Sequence, residues 1–358
     1  MNYYGQPNGQ NNGQLPPQMY YPYGDEATPD EKKEIRRTFN AVGAALLALY
    51  ILIIVFCYAG FWAFCGEMEY NEYGQAVYTL AHTIVGGCFP ALTAMLVFVL
   101  YCALTRYNPK ELFGTDGLNG KEIAKYVMIV LFLQQLSMIL GVIMQNGLYS
   151  VGLEVPGVDY ALEHKPSVYA VDVIATVILA PIGEELVYRG IVLRCTARIS
   201  QRFAIFLSAF IFGIMHGNPY QFVLGFLLGI PMAMITIKTG SLIPSIICHM
   251  SANIIASLQT VVNYFNEDAS LAVTVISLPV FLIAGLIVFV MEASSGGMKL
   301  PAYTPYHKKR TFPILITSWS MILVTVLYAA DLIMSIQPIR IPDMSGITEQ
   351  AARFILRS

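Results

Sequence analysis

The chain has 358 residues, 56% of them hydrophobic and only 12% charged, with 21 Lys and Arg against 23 Asp and Glu. Soluble domains carry about 25% charged residues, so a polytopic membrane protein is expected; the net charge says nothing about nucleic acid, and with no basic patch beyond short loops no nucleic-acid partner is expected. The six cysteines, Cys57, Cys65, Cys88, Cys102, Cys195 and Cys248, form no Cys-x-x-Cys pair and read as small apolar residues rather than a disulfide framework or a zinc site.

Residues 1–38 read as a disordered polar leader, rich in Asn, Gln, Gly, Pro and Tyr and without aliphatic periodicity. No signal peptide precedes the first apolar run. Lys32, Lys33, Arg36 and Arg37 stand directly before that run and predict a cytoplasmic N-terminus. The Gln/Asn/Tyr-rich leader suggests a bacterial plasma membrane. Nine apolar runs follow, at 41–64, 76–104, 123–144, 168–193, 203–215, 222–237, 242–258, 271–291 and 312–334. Pro90 predicts a kink in the second.

Loop charges alternate with these runs. Acidic connections (Glu67, Glu69 and Glu72; Glu154, Asp159 and Glu163; Glu267 and Asp268) face basic ones (Arg106, Lys110, Lys121 and Lys125; Arg194, Arg198 and Arg202; Lys238; Lys299, Lys308, Lys309 and Arg310). The fifth and sixth runs are short for a full crossing, so their connection, Gly217-Asn218-Pro219-Tyr220, is expected at membrane depth. The ninth reads as an addition to an eight-span core. The expected fold is all-α, a bundle of eight to nine transmembrane helices in a lipid bilayer. It divides into the leader 1–38, N-terminal helices 39–167, a core 168–260, C-terminal helices 261–335 and a tail 336–358.

The fourth run contains Pro181-Ile182-Gly183-Glu184-Glu185-Leu186-Val187-Tyr188-Arg189. An unpaired charge within a bilayer costs roughly 2.5–3.5 kcal/mol on insertion scales, so an ionisable cluster there marks a functional site by default. On a helix, adjacent carboxylates point about 100° apart. Arg189, four residues after Glu185, is its natural ion-pair partner, which leaves Glu184 free to act as a general base or acid. Pro181 weakens the helix just before the pair and opens a gap in its backbone bonding. Phe212-x-x-x-His216 ends the fifth run, and His249-x-x-x-Asn253 lies on one face of the seventh. His164 and His307 fall in loops, and His82 has no polar partner nearby in sequence.

A lone intramembrane His is more often a helix-to-helix hydrogen-bond partner than a catalyst, and a Glu/Arg pair serves structure as readily as chemistry. Three such elements in order form a much stronger signal. Glu184 could take a proton from water that His216 holds, while His249 and Asn253 donate to the carbonyl oxygen under attack. Glu184, His216 and His249 could instead hold a divalent metal such as Zn2+ that activates the water. The residues leave both open. His-Glu-x-x-His, Gly-x-Ser-x-Gly and a paired-aspartate signature are all absent; Asp172 and Asp331 stand alone. Gly225-x-x-x-Gly229 reads as close helix packing, and Gln134, Gln135 and Gln145 as interhelical hydrogen-bond formers or the lining of a water-filled entry.

Glu184-Glu185-x-x-x-Arg189, Phe212-x-x-x-His216 and His249-x-x-x-Asn253 together resemble the three signature motifs of the CPBP (Abi) family, the CAAX-protease and bacteriocin-processing intramembrane proteases, which include the type II CAAX prenyl endopeptidases. The resemblance implies a multispanning helical peptidase acting on a membrane-bound protein or peptide. Glu184 would be the catalytic base, His216 would share activation of the water, and His249 and Asn253 would form the oxyanion site. Glu185, Arg189 and Phe212 would support them. The family is described both as metallopeptidases and as metal-free glutamate peptidases. From the residues alone, a proton-coupled transporter or an inert immunity-type membrane protein are the competing readings, since intramembrane Glu, His and Arg also serve proton relays.

Overall fold

Long apolar runs separated by short polar connections dictate helices rather than strands. The computed structural model describes residues 29–71, 75–116, 118–156, 160–299 and 314–339. The leader 1–28, the tail 340–358, Glu72, Asp159, His307, Lys308, Lys309 and Arg310 lie outside the described residues. The principal helices among those described are α1 Pro29–Phe64, α2 Leu80–Thr105, α3 Gly120–Ser150, α4 166–197, α5 Gln201–Ile214, α6 Pro219–Thr239, α7 Ile243–Phe265, α8 Glu267–Ser295 and α9 Trp319–Met334. Six are long and apolar enough to cross a membrane: α1, α2, α3, α6, α7 and the 271–295 part of α8. α5 and α9 are apolar but shorter, at 14 and 16 residues. The protein is an all-α polytopic membrane bundle.

α1 begins at Pro29, well ahead of its apolar run. Ile35 and Phe39 continue the buried stripe of Val42, Leu46 and Leu49 at helical spacing, so packing extends the helix outward. Lys32, Lys33, Arg36 and Arg37 therefore lie on a helix and not in a disordered leader. The opposite face exposes Ile54, Tyr58 and Trp62, and α8 exposes Leu271, Ile276 and Ile283. Such faces suit lipid, which is as apolar as the side chains it meets.

α4 is the hub. Every residue from Leu186 to Leu193 is buried, and α4 packs against α1, α2, α5, α6 and α7. Small residues let these helices approach. A Cβ at Gly183 would lie 2.7 Å from the Ala91 carbonyl oxygen of α2, and one at Gly229 of α6 would lie 2.8 Å from Ala209 Cα of α5. The Gly225-x-x-x-Gly229 face thus packs on α5, as the spacing predicts.

Two membrane prolines, Pro90 and Pro181, follow a widened turn of i→i+5 type. In α2 the wide turn is Ile84–Cys88, ahead of Phe89-Pro90; in α4 it is Ile174–Leu179, ahead of Ala180-Pro181. The expected disturbance at Pro90 takes this form. Proline offers no N–H, and in each case the carbonyl five residues earlier accepts from a neighbouring helix. Cys57 Sγ of α1 lies 3.8 Å from the Val85 oxygen, and Asn253 Nδ2 of α7 lies 2.8 Å from the Thr176 oxygen. A second wide turn of α4, Leu186–Leu193, exposes the Tyr188 carbonyl to Ser208 Oγ of α5 at 2.8 Å.

The α5–α6 connection is short. Gly217 takes a left-handed φ of 68°, open to glycine at little cost, and the Asn218 side chain caps α6 by accepting from the Gln221 N–H at 2.9 Å. At the acidic end, small strands that the apolar pattern does not announce link the connections. β1 Glu69–Tyr70 pairs antiparallel with β2 Ala76–Tyr78, which pairs parallel with β4 Tyr160–Leu162. β3 Leu153–Glu154 pairs with β5 Gln337–Pro338 and so ties the end of α9 to the bundle. His82 also finds a partner, Thr79 Oγ1 at 2.8 Å from its Nδ1.

Gly229→Val forces α5 and α6 apart and is expected to destabilise the bundle by about 1–3 kcal/mol, read as a lowered unfolding temperature in detergent. Gly147→Ala in α3 meets open space and is expected to hold or slightly raise that temperature.

Candidate active site

Three helices converge on the two adjacent glutamates. Glu185 is fully buried on α4, and Arg189, one turn on, donates from Nη1 to its Oε1 at 2.8 Å. Arg189 also donates from Nη2 to the Gly229 carbonyl of α6 at 3.3 Å, and its guanidinium lies 4.5 Å from the centre of the Phe212 ring. An ion pair, a backbone acceptor and an aromatic face together replace the water that this cation loses on burial.

His249 of α7 sits between the two carboxylates. Its Nδ1 is 3.0 Å from Glu185 Oε1, and its Nε2 is 3.7 Å from Glu184 Oε2. Glu184 keeps 21% of its side chain exposed while Glu185 keeps none, so one member of the pair remains reachable. Phe212 of α5 packs edge-on to both histidines, at 5.4 Å from His249 and 5.2 Å from His216. His216 Nδ1 is 2.8 Å from the Phe212 carbonyl. A carbonyl only accepts, so Nδ1 carries the proton and Nε2 of the neutral ring is left with the lone pair. Asn253, one turn beyond His249, spends one amide N–H on the Thr176 carbonyl.

Residues 166–255, from the start of α4 to the middle of α7, match the family described as type II CAAX prenyl endopeptidase Rce1-like. Over these residues the chain is similar to the CAAX-protease family. Comparison with curated proteins and with solved structures gives no match. The family is one of proteases, and the CAAX-protease segment carries Glu184, Glu185, Arg189, Phe212, His216, His249 and Asn253; α1–α3, α8 and α9 lie outside it.

Within the CAAX-protease segment, Glu184, Glu185, Arg189, Phe212 and His249 form one connected cluster. His216 joins it through Phe212 and not through a direct bond to either glutamate. Asn253 faces the wide turn of α4. Among the described residues, as placed, no group of three His, Cys, Asp or Glu side chains could hold a metal ion. The nearer carboxylate to His249 is Glu185, a preference that the sequence conceals because spacing along α4 says nothing of where α7 crosses it. The backbone acceptors Thr176 and Gly229 were equally invisible; Pro181 was the one sequence signal pointing to the first. Gln134 Nε2 donates to the Ala252 carbonyl at 3.0 Å, an interhelical bond between α3 and α7. Asp331 is not part of the cluster and accepts from the Tyr50 hydroxyl at 3.3 Å.

Arg189→Ala leaves Glu185 as an uncompensated buried charge and is expected to destabilise the protein by about 3–5 kcal/mol. The double variant Glu185→Met/Arg189→Met removes both charges and recovers most of that loss. Unfolding temperatures of the single and double variants check this.

Proposed function

We propose that the protein is an intramembrane endopeptidase that cleaves a membrane-bound protein or peptide with water activated by Glu184. The single observation that carries this reading is His249 lying between the two glutamates, with Glu185 buried and ion-paired and Glu184 left accessible. Environment thus separates two neighbouring carboxylates into a structural and a chemical role.

Glu184 takes one proton from water as the water oxygen attacks the scissile carbonyl carbon. The Nε2 lone pair of His216 holds the second water hydrogen and aims the nucleophile. The carbonyl oxygen becomes negative and takes hydrogen bonds from His249 and from the remaining N–H of Asn253. His249 reaches this oxygen from the Nε2 side of its ring, its Nδ1 being held at Glu185. The tetrahedral carbon then expels the amine nitrogen as the C–N bond breaks, and Glu184 returns its proton to that nitrogen. Phe212 keeps both imidazoles and the guanidinium in register. No step runs through a metal. By the positive-inside rule the basic ends of α4 and α6 face the cytoplasm.

Glu184→Gln keeps the shape of the side chain and removes the base. Purified protein in lipid nanodiscs, given a fluorescence-quenched farnesylated CaaX peptide, is expected to lose about 10²–10⁴-fold in kcat on this change, with an unchanged unfolding temperature. Equal cleavage by the parent and the variant would falsify the peptidase reading. A chelator is expected to leave the parent rate unaltered.

A further inference from the structure

Asn253 owes its orientation to an absence in the backbone of α4. The Ala180 N–H bonds to the Ala175 carbonyl, an i→i−5 step. The next step in that pattern would bond residue 181 to the Thr176 carbonyl. Residue 181 is proline and has no N–H. An unpaired carbonyl inside a membrane bundle is costly, and the Asn253 amide fills the place from α7 at 2.8 Å. Pro90, Val85 and Cys57 repeat the arrangement in α2, where a thiol of α1 reaches the carbonyl five residues before the proline. The pattern is thus a property of proline after a wide turn, and α4 uses it next to Glu184.

We propose that Pro181 is a positioning residue: by withholding a backbone N–H it reserves the Thr176 carbonyl for Asn253 and so fixes the Asn253 amide one turn from His249. An amide held by one N–H presents its other in a set direction. Where residue 181 carries an N–H, the carbonyl is satisfied within α4, and the Asn253 side chain loses its anchor and turns freely. The effect on catalysis rests on the peptidase reading; the hydrogen-bond exchange does not.

The test is a double-mutant cycle in the full-length chain, built from the parent, Pro181→Ala, Asn253→Ala and the double variant. In the parent, Asn253→Ala orphans the Thr176 carbonyl and is expected to lower the unfolding temperature by about 2–4 °C. In the Pro181→Ala background the same change is expected to lower it hardly at all, because the new N–H at 181 already serves the carbonyl. An equal drop in both backgrounds overturns the proposal, whatever the enzyme does. With the farnesylated CaaX peptide, Pro181→Ala is expected to lower kcat about tenfold with KM within about twofold, while its stability holds or rises. A coupled cycle with unchanged kcat overturns the positioning role. Failure of the parent to outpace Glu184→Gln on this peptide overturns the peptidase reading alone, and the stability cycle still decides the exchange.

Discussion

Glu185 and Arg189 are fully buried and His249 nearly so, and the surrounding helices supply partners for them. A carboxylate and a guanidinium buried in an apolar bundle are tolerable only when paired; here Glu185 Oε1 and both Arg189 Nη atoms have partners, while Glu185 Oε2 and Arg189 Nε have no hydrogen-bond partner. Glu185 receives Arg189 from one turn along its own helix and His249 from α7; Arg189 receives the Gly229 carbonyl of α6 and the Phe212 face of α5. Four helices are thereby locked in rotation and depth by one charged knot. Glu184 borders the knot without being consumed by it, which is the condition for a reactive carboxylate in a low-dielectric site.

Close approach makes the knot possible. Gly183 lets the Glu184 turn press on the α2 backbone, and Gly229 brings a carbonyl of α6 within reach of Arg189 while meeting Ala209 of α5. Larger side chains at either position would push the donor and acceptor apart. The wide turns of α4 add a second device. They expose backbone carbonyls that side chains of other helices then occupy, Asn253 at Thr176 and Ser208 at Tyr188. Irregular backbone at membrane depth is admissible because protein groups complete its hydrogen bonding.

The helices outside the CAAX-protease segment frame it. α1 buries one stripe chiefly against α2 and α9 and turns the other toward lipid. α3 reaches the α7 backbone through Gln134, and at the basic end Lys125 of α3 bridges to Glu292 of α8. α9 is fastened at both ends, by Ser320 to the Asn40 carbonyl of α1 and by β5 to β3. The bundle therefore holds the site from its periphery as well as from its core.

The sequence by itself determined the helical class, the membrane setting, the Glu185–Arg189 pair and the residue types of the site. Hydrophobic run length and i,i+4 spacing are local quantities, and a charge in an apolar run announces its own cost. The terminal extension of α1 was missed because only packing of Ile35 and Phe39 carries it. The short strands were missed because so few residues leave no alternation to read. Tertiary structure alone decided that His249 closes on Glu185 before Glu184, that His216 turns its Nδ1 to its own helix, and that Asn253 spends an N–H on Thr176. Each depends on the distance and rotation between helices. Those are set by glycine contacts and the pairing of buried charge across the bundle, neither of which spacing along one chain can report.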